Sequence, residues 1–159
     1  MIKPLVVILM GSKADMEHCT KISDACKQYG LETVLRIASA HKTPHHAISI
    51  LTEYEADGRP KVYVTVAGRS NALSGFTDGS VCAPVIACPP PSDSFGGADV
   101  FSSLRMPSGI APAVVLEPAN AALLAAKIFG VTNAEVREQV KASQKRAAET
   151  ITRDDASVQ

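Results

Sequence analysis

The stretch LVVILMG, residues 5–11, is an unbroken apolar run that ends at a glycine. Apolar runs of this length are typical of strands buried on both faces of a parallel sheet. Ser12 and Asp15 then have the spacing of a capping box, which predicts that a helix begins directly after the strand. The apolar residues that follow repeat at helical spacing up to Gly30: Met16, Cys19, Ile22 and Cys26. This stretch therefore predicts a first strand–turn–helix unit.

The same order recurs along the rest of the chain. Further strands are predicted at residues 33–37, 62–66, 84–88 and 113–116. Helices are predicted at residues 44–56, 70–77 and 118–129, the first with Thr43 as its N-cap and Pro44 in its first turn. Because parallel strands need crossover connections, these units favour a flavodoxin-like three-layer α/β/α sandwich. Its five-stranded parallel sheet would have the order 2-1-3-4-5.

The segment at residues 89–112 fits no clear period and is longer than an ordinary connection. Such segments are usually functional or interfacial, and residues 98–105 within it are predicted to be helical.

A further helix is predicted at the C-terminus, where Thr132 and Glu135 have capping-box spacing. Its apolar face is narrow, so it either lies on its own domain or docks on a neighbouring subunit. The pattern does not separate these alternatives. We divide the chain into a flavodoxin-type domain at residues 1–130 and a helical extension at residues 131–159, which we expect to pack on a neighbouring subunit.

Composition excludes several classes of function. A chain of 159 residues suits one domain, and its formal net charge of zero argues against nucleic acid as a partner. The apolar run at residues 2–10 is too short to span a membrane and lacks the features of a signal peptide, so we expect a cytoplasmic protein without membrane contact. The cysteines form no C-x-x-C pair and are predicted to be reduced core thiols: Cys19, Cys26, Cys82 and Cys88.

Three loops should share the rim at the carboxyl ends of the first three strands, where ligands bind in open parallel sheets. Residues 11–15, 38–42 and 67–71 each offer small residues, a hydroxyl and a cation ahead of a helix, a combination that favours an anionic ligand. Taken singly, the loop serines more often only cap helices, but three such loops favour a phosphorylated small molecule. The sequence has neither a G-x-G-x-x-G nor a Walker motif, which argues against a dinucleotide or ATP site.

Three of the four histidines lie in SAHKTPHH, residues 39–46. His45 and His46 follow Pro44 in the first helical turn, about 100° apart, and are expected to be exposed. A metal site is not expected, since His41 precedes the N-cap and no carboxylate is near it in sequence. His41 lies between small residues and a cation, where an imidazole can give or take a proton near neutral pH. Acid–base chemistry therefore ranks above covalent catalysis.

Five motifs, in this order and spacing, resemble the phosphoribosylaminoimidazole carboxylase catalytic-subunit family of purine biosynthesis: LMGSKADMEHC, ASAHKTP, VAGRSNALSG, SLRMPSGI and NAALLAAKIFG. The resemblance covers about residues 6–130. It implies a flavodoxin-like subunit and a homo-octamer. It also implies the interconversion of aminoimidazole ribonucleotide (AIR) and its 4-carboxylated product (CAIR) without ATP, metal or biotin.

The motifs also differ between two branches of that family. The mutase branch, which rearranges the N5-carboxylated ribonucleotide, would have SAHRTP and a run like GGAAHLPG. This chain has Lys42 in place of Arg, and GRSNALSG at residues 68–75 lacks the second glycine and the histidine. With EYEADGRP and CPPPSD, these departures resemble the branch that uses CO2 directly, best known as a domain of an animal bifunctional enzyme. The resemblance implies a stand-alone version, with the mutase as the alternative.

The resemblance also implies roles for individual residues. It assigns four of them to the ribose phosphate: Ser12, Asp15, Ser39 and Lys42. Among these, Asp15 would bind ribose hydroxyls and Lys42 the phosphate. The pocket for CO2 or the new carboxylate would be formed by Gly68, Arg69, Ser70 and Asn71. His41 would shuttle the proton at C4 of the imidazole.

Two functions of other classes compete with this one. A non-catalytic module that binds a phosphorylated ligand would have the same loops. A response-regulator domain would need acidic residues after the first strand and an aspartate after the third, where this chain has Gly68 and Arg69.

Overall fold

Strands and helices alternate along the chain in the computed structural model, which describes residues 3–159. The strands are β1 (Leu5–Met10), β2 (Glu32–Ile37), β3 (Lys61–Val66), β4 (Val85–Ala87) and β5 (Ala113–Val114). The helices are α1 (Met16–Lys27), α2 (Pro44–Glu55), α3 (Ala72–Asp78), α4 (Phe101–Leu104), α5 (Pro118–Gly130) and α6 (Ala134–Ser157). Short 3-10 turns precede α1 (Lys13–Asp15) and α4 (Ser94–Val100).

The five strands form one parallel sheet in the order β2-β1-β3-β4-β5, which confirms the predicted topology. β1 pairs with both β2 and β3, so Met10 lies beside Ile37 on one side and Val66 on the other. The loops that leave these three strands therefore start side by side at the carboxyl edge of the sheet.

The interior strand β1 is buried on both faces, as its apolar run predicts, and its two faces belong to two cores. Val6, Ile8 and Met10 belong to the core that includes α1, α5 and the start of α6. The alternate residues, Leu5, Val7 and Leu9, belong to the core that includes α2 and α3. Because side chains alternate across a strand, one apolar run supplies both faces of the sheet. The flavodoxin-like α/β/α sandwich is thus confirmed.

Several element ends differ from the prediction. β4 begins one residue late, because Pro84 has no N–H to donate to a strand ladder, and it ends one residue early at Ala87. β5 begins at Ala113 as expected but ends two residues early, at Val114. α3 starts after Asn71 rather than at Ser70, since the Asn71 side chain caps the helix. α6 is capped by Asn133 and not by Thr132, because Asn133 Oδ1 accepts from the Val136 N–H at 3.1 Å. The predicted helical piece near residues 98–105 is present.

The helix α6 divides into a packed and an unpacked part. Val136 and Val140 are buried in the core beside α5, whereas every residue from 144 onward is exposed. In the described part of the chain, no helix combines the length and the apolar character that crossing a membrane requires.

Candidate active site

A cavity of about 340 Å³ opens at the carboxyl ends of β1, β2 and β3. The three loops that were expected to share a rim all line it. Eight of the nine predicted site residues are on its wall: Ser12, Asp15, Ser39, His41, Lys42, Gly68, Arg69 and Ser70. The ninth, Asn71, is not. The sheet order therefore brings together residues that are up to 58 positions apart in the sequence (12 to 70).

The β1–α1 loop contributes an exposed hydroxyl and a partly buried carboxylate. The Asp15 N–H donates to Ser12 O at 3.2 Å, which closes the 3-10 turn and directs Asp15 toward the first turn of α1. Burial raises the pKa of Asp15, against opposing effects of hydrogen bonds with Ser12 and of the nearby His18. A carboxylate whose charge is poorly solvated is well suited to accept hydrogen bonds from ligand hydroxyls.

The β2–α2 loop presents His41 and Lys42 to solvent within the cavity wall. The Lys42 N–H donates to Ser39 Oγ at 3.2 Å, and the Thr43 N–H donates to Ser39 O at 2.9 Å. These bonds hold the backbone in a turn and leave the imidazole and the ammonium group accessible to a ligand.

The two adjacent histidines behave as expected from their position after Pro44. His45 and His46 are both exposed in the first turn of α2, and neither belongs to the cavity wall. The cluster of three histidines in the sequence is therefore one site residue and two surface residues. Within residues 3–159, no three His, Cys, Asp or Glu side chains are grouped closely enough to hold a metal ion.

The β3–α3 loop is held in an unusual backbone conformation. Arg69 has a φ of 59°, in the left-handed region that residues with a Cβ seldom adopt. Asn71 is only 1% exposed. Its side chain points into the protein, where Oδ1 accepts from the Ser74 N–H at 3.2 Å and Nδ2 donates to Ser103 Oγ at 2.8 Å. The structure thus places Asn71 beneath the pocket that it was expected to line.

A second cavity of about 330 Å³ adjoins the first and shares Ala67, Gly68 and Arg69 with it. Its wall comes largely from the long segment that follows β4 and from the end of β5: Pro89, Pro90, Pro91, Ser92, Gly97, Asp99, Val100, Leu116 and Glu117. The length of that segment indicated a functional or interfacial role, but no spacing in the sequence identified the individual residues.

His18 and Cys88 form a contact that the sequence did not indicate. The Cys88 Sγ lies 3.5 Å from His18 Nε2 and 3.6 Å from Leu116 O, linking α1 to the ends of β4 and β5. Burial lowers the pKa of His18 and raises the pKa of Cys88 to about 12, so both groups are neutral at pH 7. Cys19 and Cys26 are also buried as predicted, but Cys82 is exposed and is not a core thiol.

Comparison with known proteins identifies the family. The family model described as AIR carboxylase matches residues 5–150. The chain belongs to the AIR carboxylase family.

Named members of this family are similar over most of the chain. It is 59% identical over 156 residues to the phosphoribosylaminoimidazole carboxylase of Treponema denticola, covering 98% of both chains. It is 49% identical over 138 residues to the bifunctional phosphoribosylaminoimidazole carboxylase/phosphoribosylaminoimidazole succinocarboxamide synthetase of Mus musculus, covering 87% of this chain and 32% of that protein.

The crystal structure of Treponema denticola PurE has a TM-score of 0.98 and 58% sequence identity to this chain, with 99% of each chain covered. The AIR carboxylase family and its fold, which the motifs indicated from the sequence, are both confirmed.

Proposed function

We propose that this protein carboxylates AIR at C4 with CO2 to give CAIR, reversibly, in the de novo synthesis of purines. The observation that carries the proposal is the convergence of His41, Lys42 and Asp15 with the loop at residues 68–70 on one cavity. A proton carrier, a cation, a carboxylate and a backbone-lined pocket are the groups that this reaction needs. The similarity to enzymes named phosphoribosylaminoimidazole carboxylase supports the same activity.

The first two loops would bind the ribose phosphate. Lys42 is exposed at the rim and would pair with the phosphate, together with the hydroxyls of Ser12 and Ser39. Asp15 is the carboxylate on this side of the cavity and would accept hydrogen bonds from the ribose hydroxyls. These contacts would fix the imidazole ring relative to the third loop.

The chemistry requires few groups because AIR is itself a carbon nucleophile. Its enamine-like C4 attacks the carbon of CO2, a C–C bond forms, and the electron pair of one C=O bond becomes a carboxylate lone pair. His41 then removes the proton from C4, which restores the aromatic ring. In the reverse direction the protonated imidazole of His41 returns this proton to C4 of CAIR, and CO2 leaves.

The loop at residues 68–70 would hold CO2 beside C4. Arg69 in this loop has a left-handed φ of 59°. Confinement of a small neutral gas beside a nucleophile would lower the barrier through proximity. Because Asn71 is buried, we propose that it maintains the conformation of this loop and does not contact the carboxylate.

The sequence of the same loop favours the CO2-using branch over the mutase. GRSNALSG lacks the histidine and the second glycine that the mutase pattern would place there. The similarity to the bifunctional mouse protein, whose name includes phosphoribosylaminoimidazole carboxylase, also favours the carboxylase over the mutase. Rearrangement of the N5-carboxylated isomer is the alternative.

We also propose that residues 1–130 form the catalytic domain and that residues 131–159 dock on a neighbouring subunit of a homo-octamer in the cytoplasm. Every residue in the outer half of α6, from 144 onward, is exposed, and Ile151 on it is 71% exposed. Exposed apolar side chains also occur on the segment after β4, where Phe95 is 86% and Phe101 is 67% exposed. Such surfaces usually mark contacts between proteins.

Decarboxylation of CAIR tests the proposed function. The unmodified protein should release CO2 and form AIR, while His41→Asn should lose activity by a factor of about 10² to 10⁴ and still bind nucleotide. His45→Asn is the matched control, since His45 is a neighbouring exposed histidine outside the cavity wall, and it should keep full activity. Binding of CAIR without turnover by the unmodified protein would instead indicate a binding module.

A further inference from the structure

Two serines of the segment after β4 accept hydrogen bonds from Asn71. The Asn71 N–H donates to Ser102 Oγ at 2.9 Å, and Asn71 Nδ2 donates to Ser103 Oγ at 2.8 Å. Ser102 Oγ in turn donates to Asp99 O at 2.7 Å, which fixes the direction of its hydroxyl. Asn71 and Ser103 are each only 1% exposed, so water cannot replace the bond between them, whereas Ser102 is half-buried.

Asn71 also organises the residues that follow it. Its Oδ1 accepts from the Ser74 N–H at 3.2 Å, and its backbone carbonyl accepts from Ser74 Oγ at 3.2 Å. Both backbone groups and both ends of its side-chain amide are therefore engaged. A residue held at this many points is a fixed end for the loop that precedes it.

The segment that carries the serines is itself packed firmly on α3. A Cβ added at Gly75 would lie 2.9 Å from Met106 Sδ, and one at Gly79 would lie 3.0 Å from Ile110 Cδ1. The Ala111 N–H donates to Asp78 Oδ2 at 2.8 Å. The stretch that follows Ser102 and Ser103 is thus held by close contacts with the second half of α3.

The loop between β3 and Asn71 needs such support. Arg69 has a left-handed φ of 59°, two residues before Asn71. Residues with a Cβ keep this conformation only when the surrounding structure holds them in it. The bonds of Ser102 and Ser103 to Asn71 supply a restraint at the end of this loop, and neither serine is on the wall of the cavities described above.

We propose that Ser102 and Ser103 are positioning residues: through Asn71 they hold residues 68–70 in the conformation that receives CO2. This inference rests on the proposed carboxylase function and adds to it the segment after β4 as part of the machinery. The serines act on the third loop and not on the two loops that bind the ribose phosphate. Their loss should therefore affect the use of CO2 and leave the binding of AIR unchanged.

The test compares Ser102→Ala with Ser102→Thr, which keeps the hydroxyl. Steady-state rates are measured with AIR and with CO2 varied in turn, and amide hydrogen exchange is measured at Asn71. For Ser102→Ala we expect kcat/KM for CO2 to fall about tenfold and Asn71 exchange to quicken about tenfold, the effect of losing one hydrogen-bond partner of the buried Asn71 N–H. The KM for AIR should stay within about twofold, and Ser102→Thr should restore both values. Ser103→Ala should change them in the same direction.

Ser80→Ala is the matched control. Ser80 lies just beyond the other end of α3, where its hydroxyl donates to Phe76 O at 2.7 Å. The Ser80→Ala variant therefore loses one hydrogen bond far from the loop and should keep normal kinetics. Normal activity of the unmodified protein, combined with an unchanged kcat/KM for CO2 in Ser102→Ala, would overturn the positioning role alone. Failure of the unmodified protein to carboxylate AIR would contradict the proposed function. Asn71 exchange as slow in Ser102→Ala as in the unmodified protein would show that Ser102 does not restrain Asn71.

Discussion

Ser39 and Thr43 are joined by reciprocal hydrogen bonds across the turn that carries His41 and Lys42. The Ser39 N–H donates to Thr43 Oγ1 at 2.9 Å, and Thr43 Oγ1 donates to Ser39 O at 3.3 Å. The Thr43 hydroxyl therefore closes the turn instead of capping α2. His41 and Lys42, the proposed proton carrier and phosphate-binding cation, are held between these two residues.

Removal of this hydroxyl should loosen the turn. For Thr43→Val we expect kcat/KM for AIR to fall roughly three- to tenfold, the effect of one weakened hydrogen bond, and Thr43→Ser should restore it. Thr52→Val is the control, because the Thr52 hydroxyl also donates to a backbone carbonyl, that of Ile48, but lies toward the C-terminal end of α2 and away from the turn. Equal losses in both variants would show that the turn has no special role.

Lys42 should act on binding rather than on chemistry. Lys42→Ala removes a charge that pairs with the phosphate, so the KM for AIR should rise about tenfold or more while kcat changes little. Lys42→Arg should bind AIR nearly as well as the unmodified protein, since a guanidinium group also pairs with phosphate. Lys27→Ala serves as the control, because Lys27 is at the C-terminal end of α1 and the cavity is at the N-terminal end of that helix. An unchanged KM in Lys42→Ala would contradict the assignment.

Asp15 should weaken the folded protein while it strengthens binding. Burial raises its pKa above the ordinary 3.8, so the folded state disfavours the carboxylate. The resulting penalty is present at pH values above the raised pKa and disappears below about pH 4, where the group is protonated in both states. Asp15→Asn should therefore raise the Tm at pH 7, by no more than about 2–4 °C.

The same variant should bind AIR roughly ten- to a hundredfold more weakly, because the charged acceptor for the ribose hydroxyls is lost. Asp15 has the N-cap position of α1 but its side chain makes no cap hydrogen bond, so α1 should not be disturbed. Asp24→Asn, on the exposed face of α1, is the control for both measurements. A lower Tm together with normal binding in Asp15→Asn would be the opposite of what this geometry predicts.

The outer half of α6 should be needed for assembly. Light scattering of the unmodified protein should give about eight times the subunit mass, and Ile151→Asp should give a smaller species because a charge is placed in an apolar contact. Thr150→Asp lies about 100° away around the helix and should leave the mass unchanged. A single-subunit mass for the unmodified protein would exclude both the octamer and the docking of this helix.

Much of the fold could be predicted from the sequence because its signals are local and strong. The run at residues 5–11 identified a strand buried on both faces, and the order of strand, turn and helix indicated the parallel sheet. The ends of β4 and β5 could not be predicted in the same way, since the apolar pattern runs past the last residue of each strand. The caps of α3 and α6 were misplaced by one residue, because serine, threonine and asparagine cap equally well in sequence.

The candidate site could be predicted where it follows directly from strand ends. Ser12, His41 and Arg69 lie just after three neighbouring strands, so topology alone places them on one rim. The contacts of Asn71 with Ser102 and Ser103 join residues 31 and 32 positions apart through an irregular segment. The spacing of apolar residues in the sequence does not predict such contacts. The burial of Asn71 was missed for the same reason.

We expect CO2 itself to be the carboxyl donor to AIR. In the test, the purified protein is supplied either with AIR and CO2 or with the N5-carboxylated isomer, and the formation of CAIR is followed, with His41→Asn as the inactive control. CAIR should form from AIR and CO2, and none should form from the isomer beyond the amount that its spontaneous breakdown to AIR explains. Rapid CAIR formation from the N5-carboxylated isomer, with none from AIR and CO2, would instead show that the protein is a mutase.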